Sequence, residues 1–370
     1  MAADDPRERA EQRTLLMPRR ELGSELRPGH QLQEFIVERL LGVGGYSCVY
    51  LARDTRLDRK VALKEYLPAT LAARGPDGLV AARLPRFEEF YNKGLQGFLN
   101  EARLLGSFDH PSLVKVYRFW AEAGTAYMVM PYYEGITLKK WLTDLGAPPS
   151  ERWLRDLAEP MMTALGAMHA QRCYHRDVAP DNILMLYDRK APGSYLEQKP
   201  RPVLLDFGAA RRVIGDATQQ LTAILKSGYS PVEQYEGEES LRQGAWTDVY
   251  ALCAVLYTAI TGKPPGSSVA RAVRDELLPA AVAGQGRYSA SFLAAIDAGL
   301  RVRPEQRPQS MQALRELMDA PVPAAAPQPA SPASAPAAAT AARPASRTAL
   351  WAGGAAAAAA LAAGAYFLLR

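Results

Sequence analysis

Apolar and polar positions alternate over Phe35–Leu41, Cys48–Arg53 and Lys60–Glu65, which predicts three strands in a meander, the first two joined by a glycine-bearing turn. Residues 66–96 hold no single period. Phe98–Phe108 then sets Leu99, Ala102 and Leu105 at helical spacing, and Leu113–Phe119 and Ala126–Met130 read as two more strands. Past Pro131 the period changes. Leu138–Leu145, Trp153–Gln171, Thr247–Gly262, Ser291–Leu300 and Met311–Met318 all space their apolar residues as helices do. The pattern predicts an α+β chain of two lobes, β-rich with one key helix over 32–131 and mainly helical over 132–319, meeting near Met130–Gly135.

The two ends of the chain lack such patterning. Residues 1–31 are polar and rich in Arg and Glu, without the apolar core of a signal peptide, and read as disordered. Residues 320–348 collapse to Ala, Pro and Ser and read as a linker. Ala349–Leu369 then runs 21 residues without a charge, close to the ~20 that a membrane-spanning helix needs. Eleven of these are Ala, which is only marginally apolar, so a low-complexity tail is the alternative. Trp351, Tyr366 and Phe367 near its ends, with Arg343 and Arg347 just before it, favour a single span.

Composition narrows the function. An apolar fraction of 48% is enough to bury a sizeable core, and the net charge of +5 is spread over arginines without a basic block, so nothing points to nucleic acid. Cys48, Cys173 and Cys253 are odd in number and far apart, which fits reduced thiols and neither a disulfide frame nor a zinc site.

The most informative stretch is His175-Arg176-Asp177-Val178-Ala179-Pro180-Asp181-Asn182, followed 24 residues after Asn182 by Asp206-Phe207-Gly208. It provides a carboxylate able to accept a hydroxyl proton, an amide able to hold a metal, and a second carboxylate for the same metal. Upstream, Leu41-Gly42-Val43-Gly44-Gly45-Tyr46-Ser47-Cys48-Val49 places glycines between two strands, where backbone N–H groups can approach a polyphosphate. Glycine also serves a bulged hairpin, so this signal is weak alone. Val61-Ala62-Leu63-Lys64 sets a lysine on the next strand.

In these motifs the chain resembles the protein kinase family, and its bacterial eukaryotic-like Ser/Thr branch in particular, over about residues 33–319. The resemblance implies a two-lobed kinase fold that binds ATP and Mg²⁺. Leu41, Gly42, Gly44, Gly45, Val49, Ala62, Met130 and Tyr132 would form the nucleotide site, with Cys48 lining it. Lys64 would bind the α- and β-phosphates and pair with Glu101, although the 37-residue separation leaves Glu88 or Glu89 as alternatives. Asp177 would be the catalytic base, Asn182 and Asp206 the metal ligands, and His175 a structural residue. Arg176 would pair with a phosphorylated residue of the activation segment; Thr222 leads Thr218, Ser227 and Ser230 as that residue.

Two departures stand out. Ser47 replaces a third glycine, and Ala179 stands where the family has a lysine near the γ-phosphate. Lys226, in Lys226-Ser227-Gly228-Tyr229-Ser230-Pro231-Val232-Glu233, falls where the family has the threonine that meets that lysine, so Lys226 is expected to supply the cation. The resemblance also implies a buried Glu233–Arg307 ion pair and an Asp248 that braces the catalytic loop, features that small-molecule kinases lack. Lys64, Asp177, Asn182 and Asp206 are all retained, which argues against a kinase fold kept only as a scaffold; Ala179 alone speaks for one. The reading implies protein substrates, a transient homodimer for autophosphorylation, and a catalytic lobe on the cytoplasmic side of the inner membrane.

Overall fold

The computed structural model describes residues 24–205, 226–235 and 243–321. Asp206, Thr218, Thr222, the linker from residue 322 onward and Ala349–Leu369 lie outside the described residues. The patterned segments form an antiparallel sheet followed by helices. The strands are β1 (Gln31–Leu32), β2 (Phe35–Val43), β3 (Ser47–Asp54), β4 (Arg59–Tyr66), β7 (Arg118–Glu122) and β8 (Thr125–Pro131), ordered β1-β2-β3-β4-β8-β7. Between β4 and β7 come a hairpin, β5 (Ala72–Arg74) with β6 (Val80–Ala82), and helix α1 (Glu88–Ser107).

Register assigns the two faces of the sheet. Val49 is opposite Lys64 and Ala62 opposite Met130, so these share the face toward the cleft. Cys48, Tyr50 and Glu65 occupy the other face, and each is 0% exposed. Cys48 therefore does not line the nucleotide site, because strand alternation turns it away from Val49 and into the core on the far side.

The helical lobe opens with β9 (Gly135–Thr137) and α2 (Leu138–Leu145), then α3 (Glu151–Ala170), the strands β10 (Ile183–Leu186) and β11 (Pro202–Leu204), and the helices α4 (Ala245–Thr261), α5 (Ser268–Val273), α6 (Ala280–Ala283), α7 (Ala290–Gly299) and α8 (Met311–Asp319). Thr137 and Ser150 cap α2 and α3, each hydroxyl accepting from a backbone N–H three residues on. Helix α4 is buried along almost its whole length, which makes it the axis of this lobe. Among the described residues no helix is long and apolar enough to cross a membrane.

Three expectations shift. Helix α1 begins at Glu88, ten residues before Phe98: Phe90, Tyr91 and Leu95 already pack toward the core, but Gly94 and Gly97 weaken the helical signal of these first turns. The strand expected at Leu113–Phe119 runs instead over Arg118–Glu122, and Leu113 makes only an isolated bridge to Leu204. The segment before Leu32 is packed from Ser24 onward, with Ser24 and Leu26 buried.

Candidate active site

Lys64 projects from β4 toward α1, where its Nζ lies 3.2 Å from Glu101 Oε1. Both side chains are almost fully buried, at 7% and 1% exposure, and the Phe98 ring lies 5.8 Å from the ammonium. Glu88 and Glu89 sit at the N-terminus of α1, and Glu89 pairs with Lys93 at 2.7 Å. The glycine turn joins β2 to β3 through a bond from Gly44 N–H to Ser47 O, 2.8 Å. Leu41, Gly42, Gly44 and Gly45 stand on this exposed rim, Val49 and Ala62 below it, and Met130 and Tyr132 at the passage from β8 to the helical lobe.

The catalytic loop, residues 174–182, is fastened from behind. Asp248 at the start of α4 is fully buried and accepts from the backbone N–H of His175 (2.9 Å) and of Arg176 (2.7 Å), and bonds His169 Nε2 (2.8 Å). Burial pushes the Asp248 carboxyl up, but the hydrogen bond and charge of His169 and the Arg176 N–H outweigh it, so the carboxyl sits below the ordinary carboxylate range. Arg176 adopts a left-handed φ of 68°, and its carbonyl accepts from Gln234 Nε2 at 2.8 Å. His175 Nδ1 accepts from the Asp177 N–H at 3.3 Å, so its proton sits on Nε2, which donates to Leu205 O at 3.0 Å. This imidazole is a neutral strut between the loop and the residue before Asp206.

Asn182 donates its amide N–H groups to the backbone oxygen of Asp177 (2.8 Å) and to Asp177 Oδ2 (2.6 Å). With its nitrogen committed, Asn182 presents a hard oxygen, the donor type that suits Mg²⁺. Lys226 brings a cation to the other carboxylate oxygen, Nζ lying 3.7 Å from Asp177 Oδ1. Its turn is pinned to the helical lobe. Gly228 has φ +87° and abuts Pro265 O where a Cβ would be 2.4 Å away, Ser268 Oγ donates to Ser230 O, and Thr258 Oγ1 to Tyr229 Oη. Ser227 is exposed, whereas Ser230 is buried.

Glu233 and Arg307 form a bidentate pair at 2.7 and 3.2 Å, both side chains 0% exposed, with Thr247 Oγ1 donating to Glu233 Oε1. His169, Gln234 and Thr247 escaped the sequence reading. Each acts through a partner far along the chain, and a lone polar residue in an apolar run carries no local sign of that.

Residues 35–317 match the protein kinase domain family. Among curated proteins, the serine/threonine-protein kinase PknB of Mycobacterium tuberculosis is 31% identical over 302 residues, covering 78% of this chain and 43% of PknB. PrkC of Bacillus subtilis is 30% identical over 229 residues, 61% of this chain and 30% of PrkC. The chain thus spans less than half the length of these relatives. Among solved structures, the apo form of PpkA-294 is 40% identical with a TM-score of 0.72, covering 80% of this chain and all of that one. The kinase domain of Mycobacterium tuberculosis PknI, at 22% identity and a TM-score of 0.56, shares the fold. The chain belongs to the protein kinase family, with a two-lobed fold, and these curated relatives are bacterial serine/threonine-protein kinases.

Proposed function

We propose that this chain transfers the γ-phosphoryl group of Mg-ATP to Ser and Thr hydroxyls of proteins, itself included. The observation that carries the reading is the convergence on Asp177 of Asn182 and Lys226, together with the buried Lys64–Glu101 pair. The substrate hydroxyl oxygen attacks the γ-phosphorus, its proton passes to the Asp177 carboxylate, and the bond to the ADP oxygen breaks. Asn182, fixed by its bonds to Asp177, would hold Mg²⁺ with Asp206, and that ion would neutralise phosphate charge. Lys64 would grip the α- and β-phosphates, and Lys226 would face the transferring group. Leu41, Gly42, Gly44, Gly45, Val49, Ala62, Met130 and Tyr132 would enclose the nucleotide. Catalysis here is positioning and charge neutralisation.

The N-terminal segment, the lobes over 32–131 and 132–319, the 320–348 linker and the Ala349–Leu369 span complete the proposed organisation. An uncharged run of 21 residues supports a single-pass anchor in the inner membrane with the catalytic lobes in the cytoplasm. Activation would proceed by trans-autophosphorylation in a transient homodimer, with Thr222 the leading site. Labelled ATP and Mg²⁺ supplied to the full chain, with site mapping by mass spectrometry, tests the activity; no label on protein from a chain that binds Mg-ATP would refute it. Persistence of the chain in membranes after an alkaline wash tests the anchor.

A further inference from the structure

Lys64 and Glu101 belong to different elements, and their contact depends on how strand β4 and helix α1 are held relative to one another. The chain between those elements folds into the hairpin β5–β6, which bonds to the surroundings of both. On the strand side, Arg74 of β5 pairs with Glu65, the neighbour of Lys64 on the opposite face, and also donates to Ser24 O (3.1 Å) and Gly78 O (2.7 Å). Tyr50 Oη donates to the second Glu65 oxygen at 2.8 Å and accepts from the Leu26 N–H at 3.1 Å. The Arg74 and Glu65 side chains are 10% and 0% exposed. The outer face of the lysine strand is therefore clamped by charge.

On the helix side, the Val80 N–H of β6 bonds Ala123 O in the β7–β8 turn at 2.9 Å. Gly124 of that turn, with φ +77°, lies so close that a Cβ would meet Val80 O at 2.2 Å. The carbonyl of Gly124 accepts from Tyr91 Oη of α1 at 2.7 Å, and Tyr66 Oη, at the end of β4, donates to Tyr91 O at 3.2 Å. Tyr66 also packs against Tyr91 and Phe98, with ring centroids 5.3 and 5.9 Å apart.

Glu101 lies ten residues past Tyr91, about 15 Å along the helix axis. A tilt of about 10° at Tyr91 would thus carry Glu101 roughly 2.6 Å, enough to break a 3.2 Å contact. We propose that Tyr91 and Arg74 are positioning residues: the hairpin brace sets helix α1 against β4 so that Glu101 meets Lys64 and orients that lysine for the nucleotide phosphates. The inference rests on the phosphoryl-transfer reading above.

The test is a cycle on the full chain with Tyr91→Phe, Glu101→Gln and their combination, measuring affinity for a non-hydrolysable Mg-ATP analogue beside turnover and thermal midpoint. Loss of one hydroxyl bond is expected to weaken nucleotide affinity roughly 3- to 10-fold in the wild-type background. With Glu101→Gln present, the same change should cost less than about twofold, because the contact being positioned is already gone. An equal loss in both backgrounds, or none in the wild type, would overturn the proposal, whatever happens to the thermal midpoint. Arg74→Met joins the cycle where it folds, and Tyr91→Phe decides alone where it does not. A wild type that binds the analogue but transfers no phosphate would refute the kinase reading while the affinity cycle still decides the brace.

Discussion

The Lys226 ammonium lies 3.7 Å from Asp177 Oδ1, so a cation from the segment after residue 225 meets the carboxylate proposed as catalytic base. Two residues past Asp177, Ala179 is buried at 1% exposure and offers no charge. The positive charge on this side of the cleft thus rides on a turn fastened by Gly228, Tyr229 and Ser230 to the helical lobe. A site built this way is complete only when that turn is seated.

Lys226→Ala should lower kcat about 100-fold with little change in the KM for ATP, the size of effect seen when one preorganised donor to a developing charge is removed. Ala179→Lys in the same chain should recover at least a tenth of the lost rate by supplying the charge from the loop. Steady-state kinetics of the two variants checks both statements, and wild-type kcat in Lys226→Ala would remove Lys226 from the mechanism.

Asp177→Asn and Lys64→Met should each abolish autophosphorylation, while Asp177→Asn still binds Mg-ATP. The first removes the proton acceptor beside Asn182, the second the partner of Glu101. Incorporation of labelled phosphate, set against equilibrium nucleotide binding, separates the two defects.

Arg307→Ala strands Glu233 in a site with 0% exposure, and a buried charge left without its partner costs about 3–5 kcal/mol. For a domain of this size that corresponds to a drop in Tm of roughly 10 °C. Arg307→Lys should recover only part of it, because an ammonium cannot reproduce the two-pronged contact at 2.7 and 3.2 Å. Scanning calorimetry of the two variants is the check.

Asp248 predicts a dependence on acid. Its folded-state carboxyl titrates below the ordinary carboxylate value, so the unfolded chain binds the proton more readily. The stabilisation is complete above the unfolded value of about 3.9 and is lost as pH falls toward the lowered folded value. Chemical denaturation between about pH 2.5 and 5 should show a shallower decline for Asp248→Asn than for the wild type.

Period and punctuation made much of this architecture readable. The strands β2, β3, β4 and β8 lie within a residue or two of where alternation places them, and α2 spans Leu138–Leu145 as read. What failed to show was whatever lacked a long uninterrupted period. The first half of α1, broken by Gly94 and Gly97, and the short β5–β6 hairpin hold their places through Tyr91, Arg74 and Val80, whose partners are Gly124, Glu65 and Ala123. Cys48 was read to the wrong side because a motif names positions along a strand, whereas register against Glu65 decides the face.

The sequence by itself determined the lobes, the family and the reactive groups, because these depend on local periodicity and on residue types at short spacing. Tertiary structure alone decided which carboxylate meets Lys64, that Lys226 reaches Asp177, and that Glu65, Arg74 and Tyr50 close a polar network behind the sheet. Those contacts join residues 9 to 49 positions apart on separately packed segments. Their geometry comes from how packed elements are set against each other, and an error of a few ångströms there is invisible to any pattern along the chain.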